Sequence, residues 1–234
     1  QPNAFANEAF SGLATVLIIF TVIAQIFMPW LVYALASGFA GTETFDLSVI
    51  FGRIAFPYIL FISLAALASG VLNAAGRFAA AAAAPVLLNV LLVSAILFAA
   101  AVGFDVAYAL IWMIPFAGLA QLFLVWLAAK RAGITLRLQR PRFTPDMKHL
   151  TKIALPAAMA GGVMQINLLV GQQVASYFDR AVGWLFAADR LYQLPLGVVG
   201  IAVGIWGFSK PGMAAWRAAI DDETSGPALE QMSQ

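Results

Sequence analysis

Hydrophobic positions run along this chain in long, nearly unbroken blocks separated by short polar stretches. Six blocks, roughly 11–36, 48–73, 85–102, 106–129, 151–178 and 182–208, are long and apolar. A helix needs ~20 such residues to cross a bilayer core. The first block ends at Ser37-Gly38 and the second at Asn73. The third opens on Pro85, which suits a first helical turn because the N–H it lacks has no partner there. The Ala79–Ala84 run before it is expected to lead into that span along the interface. None of the blocks alternates apolar and polar residues as barrel strands do, and helices are the other way to pair every backbone group in lipid. The pattern predicts an all-α, polytopic membrane helix bundle with about six transmembrane helices.

Composition supports lipid as the solvent. Apolar residues make up 62% of the 234 and charged residues 10%, with a mean hydropathy of +0.90. A soluble domain carries roughly 25% charged residues. The chain has no cysteine and a single histidine, His149, so no disulfide, thiolate site or histidine pair for a metal is available. No metal, cofactor or nucleic-acid partner is expected. There is no GxxxxGK phosphate loop and no hydrolytic triad at membrane depth, which argues against an enzyme.

The polar connections alternate in charge. Segment 37–47 holds Glu43 and Asp46, 74–84 holds Arg77, and 103–105 holds Asp105. Segment 130–150 holds Lys130, Arg131, Arg137, Arg140, Arg142 and Lys148 against Asp146. Lys and Arg collect in cytoplasmic loops, so the N-terminus of this piece, 74–84 and 130–150 are placed inside. The basic loop separates four helices from two and reads as a topology signal and solvated linker.

Charge inside a span is costly and marks candidate function. Asp189 and Arg190 lie in the sixth block; as sequence neighbours they point about 100° apart on a helix and need not pair. Gln193 shares the Arg190 face, and Pro195 withholds a donor from the Leu191 carbonyl, so the helix is expected to bend or loosen there. Arg53 lies near the outer end of the second block, before Pro57, where snorkelling to the headgroups competes with a functional role. Gln165, Asn167, Gln172 and Gln173 in the fifth block either line a polar path or bond between helices. Gly200-xxx-Gly204 and Ala65-xxx-Ser69 suggest close helix packing.

Several stretches resemble one family. They are Phe56-Pro57-Tyr58-Ile59-Leu60, Gly70–Asn73 with Arg77-Phe78, Ala84–Asn89, and Ala188-Asp189-Arg190-Leu191-Tyr192-Gln193-Leu194-Pro195 through Gly200. Together they resemble the MurJ/MviN lipid II flippases of the multidrug/oligosaccharidyl-lipid/polysaccharide exporter superfamily, over roughly residues 5–204. The resemblance implies a two-lobe transporter, with this piece similar to its helices three to eight. It divides the chain into 1–129, the end of the first lobe; 130–150, the basic cytoplasmic inter-lobe loop; 151–208, the start of the second lobe; and 209–234, a polar tail that departs from the family pattern after Gly204. It implies alternating-access movement of lipid II, an undecaprenyl-diphosphate-linked muropeptide, across a bacterial plasma membrane.

In that family cavity arginines are essential, and Arg190 matches one of them, with Asp189 the acid beside it; Gln193 stands where some members carry Glu. The substrate-binding residues expected are therefore Arg190, Asp189, Gln193 and Arg53, and the partners are lipid II, membrane lipids and the remaining helices of the same transporter. The competing readings are a related polysaccharide-lipid flippase or drug antiporter, and a membrane scaffold that transports nothing.

Overall fold

The computed structural model of the chain describes residues 2–139 and 144–208. Arg140, Arg142 and the tail 209–234 lie outside these residues. The regular elements of the described residues are all helices: α1 (Pro2–Ile26), α2 (Met28–Leu35), a single 3-10 turn (Ser37–Phe39), α3 (Glu43–Ala55), α4 (Pro57–Ala74), α5 (Ala79–Val102), α6 (Val106–Arg131), α7 (Pro145–Ala175) and α8 (Ala181–Phe208). Among the described residues five stretches are long and apolar enough to cross a membrane: Phe5–Ile26, Glu43–Ala74, Ala79–Val102, Val106–Arg131 and Met147–Ala175. The sixth expected crossing is α8, part of whose side chains lie outside the described residues.

Sequence and structure differ at the helix ends for identifiable reasons. The first block is two helices, divided at Phe27 beside Pro29, and the second is divided only locally at Phe56 beside Pro57, where the backbone stays helical and the Phe56 amide still donates to the Gly52 carbonyl at 2.8 Å. Each proline removes one i→i−4 hydrogen bond and crowds the carbonyl before it. Pro85 does not open a helix. It sits inside α5, and Ala79–Ala84 forms the first turns of that same helix rather than a separate lead-in, since six alanines favour helix strongly enough to carry it through the proline. The basic connection is shorter than 130–150. Lys130 and Arg131 form the last turn of α6, and Lys148 and His149 already belong to α7.

Helix ends are capped locally. The Asp105 carboxylate accepts from the Tyr108 amide at 3.0 Å at the start of α6, and the Thr144 hydroxyl accepts from the Met147 amide at 3.4 Å at the start of α7. Such caps satisfy amides that have no intrahelical acceptor. Gly103 ends α5 at φ 70°, a left-handed conformation that costs glycine nothing.

The chain divides into two compact units, Gln1–Tyr177 and Phe178–Gln234. In the first, α6 is the spine against which α4 and α5 pack, and α1 packs on α4. The core combines Ala6, Phe10 and Ala14 of α1, Leu64, Ala68 and Leu72 of α4, Ala84 of α5, Val125 and Ala129 of α6, and Leu136 beyond it. Spacings of four place each set on one helical face. Alanine recurs along these seams because lipid is as apolar as leucine, so close van der Waals approach has to hold the helices together. The α4 seam is Ala65 and Ala68, both buried, with Ser69 only half-buried at its edge. Large apolar side chains such as Leu97, Phe98 and Phe123 face outward.

Gly118 marks the tightest crossing. A Cβ there would lie 2.6 Å from Tyr58 Cδ2 and 3.2 Å from Phe61 Cβ. Gly118→Val should push α4 off α6 and destabilise the protein by about 1–3 kcal/mol, the usual cost of overpacking. Thermal unfolding in detergent, with Gly161→Val on the uncrowded part of α7 as control, measures it.

Candidate functional site

The second unit carries the charged cluster anticipated inside a span. On α8 the Gln193 side chain bridges its two neighbours. Its Nε2 donates to Asp189 Oδ2 at 2.5 Å, and its Oε1 accepts from Arg190 Nη1 at 3.3 Å. The spacing explains the geometry, since i+3 and i+4 neighbours stack along a helix face whereas i+1 neighbours diverge. Asp189 is half-buried, while Arg190 and Gln193 are exposed. The amide therefore joins the two charged groups without a direct ion pair, and the guanidinium, which carries five N–H donors, turns one of them to Gln193. Pro195 lies inside α8 without ending it.

Arg53 belongs to the first unit, on the last turn of α3, and its side chain is exposed. Its backbone takes part in a specific contact. Pro57, four residues on, has no N–H for the Arg53 carbonyl, and Gln25 Nε2 of α1 donates to that oxygen at 2.7 Å.

Of Gln165, Asn167, Gln172 and Gln173 on α7, Gln173 bonds between elements. Its Oε1 accepts from the Ser37 amide at 3.0 Å, and its Nε2 donates to Ser37 Oγ at 2.5 Å. Ser176 Oγ accepts from the Gly38 amide at 3.0 Å, and the Ser37 and Tyr177 hydroxyls lie 2.6 Å apart. Gln165 and Asn167 are exposed and Gln172 half-buried.

A second polar cluster holds the basic connection, which is not simply solvated. Leu136 is 6% exposed and belongs to the main core. Asn7 Oδ1 accepts from the Arg137 amide at 2.7 Å, and Ser11 Oγ accepts from the Gln139 amide at 2.7 Å. Trp126 Nε1 donates to the Leu136 carbonyl at 3.4 Å, with the Lys130 ammonium 5.5 Å from the Trp126 ring centre. Thr144 Oγ1 donates to Glu8 Oε2 at 2.9 Å. Asn7 and Ser11 are buried polar groups at 6% and 0% exposure, and these amides are what they bind. The sequence signal for this strap was faint: two small polar residues at a four-residue spacing in an otherwise apolar helix.

Long apolar helices with small-residue seams and few charges define a multi-pass α-helical membrane protein. The family model described as "Lipid II flippase MurJ" matches residues 1–211. The chain belongs to this MurJ family. It is 46% identical over 206 residues to the MurJ protein of Rhizobium tropici, covering 86% of this chain and 39% of that protein. It is 48% identical over 204 residues to that of Rhizobium meliloti (strain 1021), covering 85% and 38%. The lipid II flippase MurJ of Burkholderia cenocepacia is 37% identical over 208 residues, covering 86% and 40%. The chain thus spans about two-fifths of the length of these relatives. A solved structure described as lipid II flippase MurJ in an inward closed conformation shares the fold, with a TM-score of 0.66 at 21% identity, over 88% of this chain and 41% of that one.

Asn7→Ala should loosen the strap. The Arg137 amide is then expected to exchange hydrogen about 5- to 10-fold faster, in line with the ~1 kcal/mol that one hydrogen bond contributes. Amide exchange read by mass spectrometry on peptides covering 134–139 measures this.

Proposed function

We propose that this chain works within a lipid II flippase of a bacterial plasma membrane, moving an undecaprenyl-diphosphate-linked peptidoglycan precursor from the inner to the outer leaflet. The observation that carries the reading is the family match over residues 1–211. The site chemistry is compatible with it. A diphosphate presents several oxygens of high negative charge, and a guanidinium meets two of them at once with parallel N–H donors while staying charged at any working pH. We assign that contact to Arg190. Gln193 and Asp189 orient the guanidinium from one side along the same face of α8, and Arg53 is assigned a further cationic contact with the substrate. Charge alternation between the connections supports a cytoplasmic N-terminus for α1, so the strapped basic segment lies on the side from which the precursor is loaded.

A transporter of this kind performs no bond chemistry. The residues bind and release, and the energetic requirement on Arg190 is a grip strong enough to desolvate the diphosphate but weak enough to let it go.

In a full-length family member carrying this segment, Arg190→Ala should reduce appearance of the precursor at the outer leaflet about 10- to 100-fold, the loss expected for a hydrogen-bonded charge contact. Arg190→Lys should recover part of it, since an ammonium keeps the charge but not the paired donors. Arg190→Leu serves as the contrast for a packing role. If the leucine variant translocates the precursor normally while folding normally, Arg190 is a packing residue and the assignment is lost.

A further inference from the structure

One side chain in the first unit serves a backbone group that a proline leaves without a donor. The Glu43–Ala74 stretch stays helical through Phe56, at φ −55° and ψ −37°, and the Phe56 amide keeps its bond to the Gly52 carbonyl at 2.8 Å. Pro57 has no N–H, so the Arg53 carbonyl lacks its helical donor. Gln25 of α1 supplies the replacement, with Nε2 donating to that oxygen at 2.7 Å. Gln25 is half-buried, and the Arg53 side chain is exposed.

The bond belongs to a longer antiparallel register. The ring centres of Phe20 and Phe56 lie 5.6 Å apart, Gln25 meets Arg53, and Met28 Sδ lies 2.8 Å from where a Cβ on Gly52 would be. Passing from α1 into α2 therefore runs back along α4 into α3. The first and last of these contacts are apolar and tolerate small shifts. The Gln25 bond is directional, because a hydrogen bond weakens steeply away from linearity. It fixes the peptide plane that follows the Arg53 Cα, and with it the direction in which the Arg53 side chain leaves the helix.

Depth gives that fixed direction a use. From Arg53 to Ala74 the helix is about 32 Å long at about 1.5 Å per residue, close to the ~30 Å of a hydrocarbon core. With Ala74 at the inner face, as the Arg77 connection beyond it indicates, Arg53 lies level with the outer boundary of the core. A guanidinium there stands where a diphosphate headgroup arrives in the outer leaflet. Resting on the flippase reading, we infer that Gln25 is a positioning residue: it replaces the donor that Pro57 withholds and so holds Arg53 for the diphosphate at the outer-leaflet end of its path. Arg53 touches the anion, and Gln25 acts only through the Arg53 carbonyl. An amide suits the task because it carries no charge and leaves the pull of the cation undiminished.

The test uses a full-length family member carrying this segment, in lipid nanodiscs, with undecaprenyl diphosphate as the probe and its binding read by native mass spectrometry across a titration. Arg53→Ala should weaken binding about 10-fold, the loss expected for a hydrogen bond to a charged group. Gln25→Met keeps the length of the side chain but removes the donor, and should weaken binding about 3- to 5-fold. Two double variants separate positioning from packing. Gln25→Met should cost nothing further in the Pro57→Ala background, where position 57 regains an N–H for the Arg53 carbonyl. It should also cost nothing further in the Arg53→Ala background, where no guanidinium remains to be positioned. Binding by Gln25→Met as tight as the parent's overturns the proposal. So does an equal loss with and without the Arg53 side chain, which marks a packing role. If Arg53→Ala binds normally while Arg190→Ala binds weakly, the Arg53 contact falls and the proposal with it, and the flippase reading stands. If both bind normally, that reading of the substrate site falls as well.

Discussion

Inside a membrane a backbone carbonyl that loses its helical N–H has no water to turn to. That constraint bears on much of this structure, because prolines lie at the start or in the interior of most of its helices. Pro29 and Pro57 sit at the starts of α2 and α4, and Pro85, Pro115, Pro156 and Pro195 lie inside α5, α6, α7 and α8. Side-chain amides take over part of the lost bonding. Gln25 serves the Arg53 carbonyl. Gln121, 1% exposed in α6, makes a different kind of contact, donating at 2.8 Å to the Ala84 carbonyl of α5, which is not the carbonyl that Pro85 leaves without a donor. Each such bond within a bilayer is worth only about 0.6 kcal/mol on average. Their value lies in fixing where a bent helix bends, since a break with one available donor has one preferred geometry.

The gross architecture was legible because bilayer thickness sets helix length independently of packing detail. Blocks of apolar residues gave the spans to within a turn or so at most ends. One exception is the division at Pro57. Whether a proline starts, kinks or splits a helix depends on whether another element supplies the missing donor, and Gln25 lies 28 residues from the carbonyl it serves. Nothing in the local sequence at Pro57 reveals that. Helix faces were harder still. Most sides of a membrane helix are apolar, so the buried stripe of α6 is marked only by the small Ala117, Gly118 and Ala129 and the single polar Gln121, with Val125 between them.

The candidate site divides the same way. Asp189 and Arg190 stood out in the sequence because charge in a span is rare, and their bridge through Gln193 follows from helical spacing alone. The polar contacts at the two ends of α7 involve serine, threonine, asparagine and glutamine, 130 or more residues from their partners. Such residues are common and usually unremarkable. Only the fold brings Ser37 to Gln173 or Asn7 to Arg137, and in both cases a side chain meets a backbone amide, which leaves no complementary pair of residue types to search for.

The bridging role of Gln193 bears on why an amide suits this position. A carboxylate bonded directly to Arg190 would neutralise it and compete with any anionic ligand. A second carboxylate at 193, one turn from Asp189, would place like charges at i,i+4 spacing, which is unfavourable on a helix. An amide satisfies both neighbours at once, donating to the acid and accepting from the base, and adds no charge of its own. Asp189 is held, Arg190 is aimed, and the cation keeps its net charge on the exposed face of α8. On the flippase reading proposed above, that balance suits a contact with an anionic ligand: the guanidinium is oriented by hydrogen bonding on one side while its charge remains uncompensated on the other.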